Sequence, residues 1–129
     1  ILLAKFENIE KIMNTRNHAG TLYSKLINEN NIDVKTPTIL HKNKSVYAQY
    51  TLLVENRDEL KEKLKELEIP SAIYYPKCLH EQSVYEYLGY KLGDFPNAEE
   101  ASKQVLSLPM HGWISDEDIH TVINTLKTI

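Results

Sequence analysis

The sequence predicts an α+β fold: a small, mainly antiparallel sheet with helices packed on one face, preceded by a long N-terminal helix. Three observations point there. Apolar residues recur at helical spacing at both ends of the chain, short apolar runs of strand character lie between them, and the connections are too short for several parallel crossovers. One domain is expected, because 129 residues fall where single domains cluster, at about 100–150. Hydrophobic residues at 42% and charged residues at 26% match folded globular chains and not disordered ones.

The first element starts at Leu2. Leu2, Phe6, Ile9 and Met13, then Ala19, Leu22 and Leu26, share one face of a helix reaching about Asn28. Unbroken, it spans roughly 40 Å at about 1.5 Å per residue, the length of a helix that bridges two bodies. Gly20, about 1 kcal/mol worse than alanine inside a helix, is where it would divide into two ordinary helices. The chain opens on Ile1-Leu2-Leu3-Ala4-Lys5-Phe6, with no methionine and no capping residue ahead of the pattern, so a piece of a longer protein is expected. Asn28, Asn30, Asn31 and Asp33 then form a turn-rich exit.

Val34 to Leu40 reads as an edge strand, since Pro37 cannot donate to a ladder. Val46 to Val54 is the better strand: Val46, Ala48, Tyr50, Leu52 and Val54 are apolar at period two, with Gln49 and Thr51 on the other face. Asn56 with Glu59 resembles a capping box; Leu60, Leu64 and Leu67 follow at helical spacing, and Pro70 stops the helix. The lysines and glutamates between them, Glu59 and Lys63 included, form a solvated face. Ser71 to Tyr75 is a further strand, ended by Pro76. A short helix follows around Ser83 to Leu88, then one from about Asn97 to Gln104 with Pro96 near its first turn, then a core strand from Val105 to Leu108. Ser115 with Asp118 caps a last helix striped by Ile119, Val122, Ile123 and Leu126.

Several function classes drop out. Fifteen Lys and Arg against eighteen Asp and Glu leave a formal charge of −3, which offers nucleic acid no positive field. The longest apolar runs, such as Tyr50 to Val54, fall far short of the ~20 residues of a membrane span. There is no basic-then-apolar leader, and the single Cys78 has no intrachain partner, so the expected compartment is cytoplasmic. Cys78, His80, His111 and His120 lack the paired spacing of zinc ligands, and no metal is expected. Neither a Gly-rich phosphate loop nor a nucleophile elbow occurs.

Two segments look built for more than packing. In Tyr74-Tyr75-Pro76-Lys77-Cys78-Leu79-His80, at a strand end, the hydroxyls, ammonium and imidazole can hydrogen-bond sugars and pair with phosphate oxygens. The plainer alternative makes the tyrosines half-buried strand residues and His80 a polar helix start. Ser107-Leu108-Pro109-Met110-His111-Gly112-Trp113 sets a second strand end beside a histidine and the only tryptophan. Its plainer alternative is a buried loop plugged by Trp113.

Taken in order, these segments resemble the C-terminal region of the DegT/StrS family of pyridoxal-phosphate (PLP)-dependent sugar aminotransferases. The matching pieces are Tyr47-Ala48-Gln49-Tyr50-Thr51, Arg57-Asp58-Glu59-Leu60, and Ile69-Pro70-Ser71-Ala72-Ile73-Tyr74-Tyr75-Pro76 leading to Leu79-His80. Gly93-Asp94-Phe95-Pro96-Asn97-Ala98-Glu99 and Leu106-Ser107-Leu108-Pro109-Met110-His111 complete the series. The stretch from Arg16 to Leu26 is similar to the helix linking the family's large and small domains. The resemblance implies that residues 1–129 are the small domain of a fold-type-I aminotransferase, without its large PLP-binding domain. The family's Schiff-base lysine and pyridinium-nitrogen Asp have no matching context here, so the resemblance implies no catalytic residue, no cofactor-binding residue and no PLP bound to this chain. For the whole enzyme it implies amino transfer, typically from glutamate, to a keto-sugar nucleotide, in a homodimer with its active site at the subunit interface. It turns Tyr75 and His80, with Tyr74 as companion, toward the cleft holding the nucleotide-sugar. There they would bond sugar or diphosphate and fix the keto carbon near the cofactor, lowering the barrier by proximity. Lys77 matches no family ligand, though its charge suits phosphate. The competing expectations are a stand-alone α+β module that binds a ligand or protein without catalysis, and a degenerate paralogue that only dimerises.

Overall fold

The computed structural model of the protein describes residues 2–128, the side chains of residues 4 and 5 excepted. The N-terminal helix forms as two: α1 (Leu2–Phe6) and α2 (Ile9–Glu29), divided by a turn at residues 7 and 8. This corrects the expected single helix; Ile1, read into the same pattern, lies outside the described residues. The break falls beside described side chains that lack tertiary packing, Leu2, Leu3 and Phe6 at 73%, 85% and 65% exposed, and short helices draw their stability from such packing. Gly20 does not interrupt α2. A Cβ there would lie 2.4 Å from the Tyr47 ring, so the missing side chain admits a tertiary contact that outweighs the propensity cost. The buried face is Ala19, Tyr23 and Ile27, with Leu22 and Leu26 packed at its edge.

Strand β1 (Tyr50–Leu53) pairs antiparallel with β2 (Val105–Leu108) in the register Tyr50↔Leu108, Thr51↔Ser107, Leu52↔Leu106, Leu53↔Val105. Single antiparallel bridges extend the sheet on either side, Lys35 to Leu53 and Ala72 to Ser107. The strands expected over 34–40 and 71–75 are therefore each reduced to one bridge. Pro37 interrupts the first, and Pro70 and Pro76 confine the second. The main strand is also shorter than its pattern. Tyr47 has φ 43° and is buried, while Val46 and Ala48 face outward, so the period-two alternation holds only from Tyr50 onward.

Tyr50, Leu52, Leu106 and Leu108 form the buried face of the sheet, joined by Leu60 and Leu64 of α3 (Arg57–Glu66) and by Ile119, Val122, Ile123 and Leu126 of α5 (Asp116–Leu126). Each fully buried leucine contributes about 2 kcal/mol. On the opposite face Thr51 Oγ1 and Ser107 Oγ share a hydrogen bond of 2.8 Å. Leu67, expected in the α3 stripe, is exposed because the helix ends at Glu66. Its start differs too: Asn56 makes no side-chain cap bond. Instead the buried Arg57 donates through Nη1 to the carbonyls of Ser102 and Val105, at 3.4 and 3.2 Å, at the end of α4 (Pro96–Gln104). A cation there is favourable, since helix C-termini carry unpaired carbonyls. The α5 cap forms as read, with the Asp118 N–H donating to Ser115 Oγ and the Ser115 N–H to Asp118 Oδ2, both at 3.1 Å. Among the described residues no helix is long and apolar enough to cross a membrane.

Candidate functional site

The two segments singled out in the sequence approach each other at the antiparallel Ala72–Ser107 bridge, and Tyr74 shares a cleft with Ser107 to His111. Ala72 N–H donates to the Ser107 carbonyl at 3.1 Å, and Ser107 N–H donates back at 2.7 Å. Around this antiparallel pair, residues 70–72 and Tyr74 together with 107–111, Ala48 and Gln49 enclose a cleft of about 320 Å³ lined by Ser71, Tyr74 and His111. Helix α2 sets its position. Tyr23 OH donates to the Pro109 carbonyl at 3.1 Å, the Tyr23 and Tyr50 rings stack at 4.9 Å, and Ser24 Oγ meets Tyr50 OH at 2.7 Å. Arg16 Nη1 donates to the carbonyls of Tyr47 and Ala48, at 3.0 and 3.2 Å. Burial pushes the Tyr50 phenol up to about 12, against a smaller opposing effect of Ser24, and pushes Tyr23 higher still. Both are neutral hydroxyls at neutral pH, serving as structural donors and acceptors.

Tyr74 and Tyr75 are 45% and 73% exposed, their rings edge to face at 5.9 Å. They are not half-buried strand residues, because no strand forms around them. Together with Lys77, Cys78 and Leu79 they line a groove of about 330 Å³. Two 3-10 turns follow, Leu79–Glu81 and Ser83–Leu88. His80 lies in the adjoining groove, about 510 Å³, which shares Cys78, Leu79 and Ala98 with the first and is completed by Tyr85, Tyr90 and Phe95. Thus the two tyrosines are brought together, while His80 stands one groove away.

His80 is also already engaged. Its Nε2 lies 2.9 Å from Glu99 Oε1, with the two side chains only 7% and 10% exposed, and its ring lies 4.8 Å from that of Phe95. The same carboxylate accepts the Gly93 N–H on both oxygens, each at 2.9 Å, and the Phe95 N–H at 3.2 Å. Burial raises the Glu99 pKa, but the two amides and the His80 imidazole outweigh it, leaving the carboxyl below its ordinary range. In the sequence Glu99 has a place only in the matched stretch Gly93 to Glu99, with no site role. Its position in the first turn of α4 was a signal, since acids favour helix N-termini, but nothing in the spacing linked it to His80.

Trp113 is 64% exposed, which overturns the buried-plug alternative. Gly112 takes the close contact instead: a Cβ there would lie 2.8 Å from Ile12 Cγ2. The indole is left outside with Lys11 Nζ 5.4 Å from its ring centre. Among the described residues no cluster of three or more His, Cys, Asp or Glu is placed to hold a metal. Among the described residues no lysine has the surroundings of an imine-forming residue. No described lysine side chain is buried, and half-buried Lys63 is committed to Glu59 at 3.3 Å and the Thr128 carbonyl at 3.0 Å, whereas an imine-forming lysine works from a desolvated amine.

The fold has known counterparts. A model of the DegT/DnrJ/EryC1/StrS aminotransferase family matches residues 1–127. The chain is 38% identical over 127 residues to a pleiotropic regulatory protein of Geobacillus stearothermophilus, covering 98% of this chain and 34% of that protein. It is 33% identical over 126 residues to the UDP-2-acetamido-2-deoxy-3-oxo-D-glucuronate aminotransferase of Pseudomonas aeruginosa, with 98% and 34% covered. A DegT DnrJ EryC1 StrS aminotransferase from Brucella abortus superposes with a TM-score of 0.88 at 35% identity, over 99% of this chain and 34% of that one. DesV of S. venezuelae, solved with a ketimine intermediate, shares the fold at a TM-score of 0.92 and 23% identity, over 98% and 34%. The chain spans about a third of the length of the curated relatives it matches. With a family model matched over nearly every residue and the same fold in solved aminotransferases, this chain belongs to the DegT/DnrJ/EryC1/StrS aminotransferase family.

Proposed function

We propose that residues 1–129 are the C-terminal small domain of a PLP-dependent nucleotide-sugar aminotransferase, and that their part in the reaction is to grip the sugar nucleotide. On this reading a larger domain of the same polypeptide supplies the PLP site with its lysine and Asp. PLP, when bound there, provides the electron sink for amino transfer. The substrates are an amino-acid donor, typically glutamate, and a keto-sugar nucleotide; the working enzyme is a cytoplasmic homodimer. Tyr75 and Tyr74 offer hydroxyls to the sugar or diphosphate, and His80 offers an imidazole nitrogen from the next groove. Their contribution is placement, since an oriented reactant needs no further search at the reacting centre.

The observation that carries this reading is the pair of exposed tyrosines, 45% and 73% open, on a segment fastened to the sheet by the Ala72–Ser107 bridge in a chain of this family. Support for the substrate class comes from the relative in Pseudomonas aeruginosa, whose name is that of a UDP-sugar aminotransferase. The test is steady-state kinetics on the full-length enzyme. Tyr75→Phe and His80→Ala should each raise KM for the keto-sugar nucleotide about tenfold, as expected for a lost hydrogen bond to a bound ligand. The half-reaction with the amino donor and the PLP absorbance should be unchanged. Unaltered KM in both variants would contradict the assignment.

A further inference from the structure

We propose that Glu99 is a positioning residue for His80, and that it fixes which ring nitrogen of His80 meets the ligand; the inference rests on the reading that His80 touches the sugar nucleotide. The carboxylate is itself immobilised before it reaches the imidazole. Gly93 N–H holds both oxygens, Phe95 N–H holds Oε1, and the same Oε1 faces His80 Nε2 at 2.9 Å. Phe95 acts twice, through its amide on Glu99 and through its ring beside the imidazole at 4.8 Å. The ring therefore has a fixed partner at one nitrogen and a fixed wall.

The chemistry follows from the donor and acceptor inventory. An ionised carboxylate only accepts, so the neutral imidazole must place its single proton on Nε2 to bond with it. Nδ1 is then left as a lone pair. A lone pair welcomes a hydroxyl donor and repels a phosphate oxygen, so in its neutral form His80 is matched to a hydroxyl of the sugar and not to the diphosphate. The depressed pKa of Glu99 keeps the carboxylate ionised at neutral pH, which is what this arrangement needs. Glu99 touches no substrate and acts only through His80.

The test pairs nitrogen NMR with kinetics. In the chain, at a pH where the His80 ring is neutral, its Nε2 resonance should be that of a protonated nitrogen and its Nδ1 that of an unprotonated one. Glu99→Ala should mix the two tautomers. Glu99→Gln keeps an oxygen acceptor for His80, so it should retain the Nε2–H form and serves as the reference if Glu99→Ala fails to fold. A proton on Nδ1 in the parent, or an unchanged tautomer in Glu99→Ala, would overturn the inference. In the full-length enzyme Glu99→Ala should raise KM for the sugar nucleotide about tenfold, as His80→Ala does, and the double variant should be no worse than either, because the two act as one unit. Losses that multiply in the double variant would contradict the coupling. A raised KM in His80→Ala alone removes Glu99 and leaves the functional reading standing. An unchanged KM in both removes His80 from the substrate site, while the NMR still decides where its proton lies.

Discussion

The region around α2 and the sheet and the region from Tyr74 to Phe95 are held together by different means. In the first, Tyr23, Tyr50, Leu52 and Leu106 are fully enclosed, and hydroxyls and aromatic stacking tie helix, strand and loop into one body. In the second, Leu79, Val84, Tyr87, Tyr90 and Leu92 are between 50% and 80% exposed. Its order comes from the hydrogen bonds converging on Glu99 and from the Phe95 ring, which meets His80 at 4.8 Å and Tyr90 at 5.0 Å. The segment bearing the proposed ligand groups contributes little to the core. It is a shaped attachment on a body that folds by other contacts.

Perturbing the body should cost most. Leu52→Ala removes a side chain with no exposure and should destabilise by about 2–5 kcal/mol in urea or thermal unfolding, through lost transfer energy and a residual cavity. Gly20→Ala follows. Its Cβ would meet the Tyr47 ring at 2.4 Å, so overpacking of about 1–3 kcal/mol should exceed the ~1 kcal/mol of helix propensity gained. A more stable Gly20→Ala would show the Tyr47 contact to be soft. Solution pH should then separate the two regions. Tyr50, with a folded pKa raised to about 12, and Tyr23, raised further, contribute stability that is complete below the unfolded phenol value, about 10, and lost as pH rises above it. Glu99 is depressed, so its contribution is complete above the unfolded carboxyl value, about 4.3, and lost as pH falls through its folded value. Base should thus loosen the body at its tyrosines, and acid the 80–99 attachment together with the α5 cap, where the Ser115 hydroxyl and amide hold the Asp118 carboxyl below its ordinary range, as followed by hydrogen exchange at α2 and at Gly93. Simultaneous loss of both at either end would erase the distinction. The smallest effect belongs to the attachment's surface: Tyr87→Ser, at a site 80% exposed, should change stability by no more than about 0.5 kcal/mol.

Where a stretch of sequence carried both its period and its boundary, the fold was legible. Val105 to Leu108 is a strand as read, and α5 begins on the predicted Ser115–Asp118 cap with its predicted stripe buried. The edge strands were over-read because the apolar runs near Pro37 and between Pro70 and Pro76 promised ladders that proline cannot donate to. Long-range sterics were invisible: only Tyr47 explains why Gly20 sits inside a helix, and only Ile12 explains why Gly112 is buried while Trp113 is not. The same limit applies to the candidate site. The segment from Tyr74 to His80 stood out by its chemistry, but Glu99 lies nineteen residues beyond His80, and its partners at Gly93 and Phe95 are backbone amides. Backbone donors have no residue signature.

The proposed grip of the segment from Tyr74 to His80 on the sugar nucleotide can be read out by covalent capture. Photo-crosslinking the full-length enzyme with an azide-bearing sugar nucleotide, followed by peptide mapping, tests it most directly. Label is expected on the peptide containing Tyr74 to His80, suppressed by excess unlabelled substrate; displaceable label found only on other peptides would overturn the proposed grip.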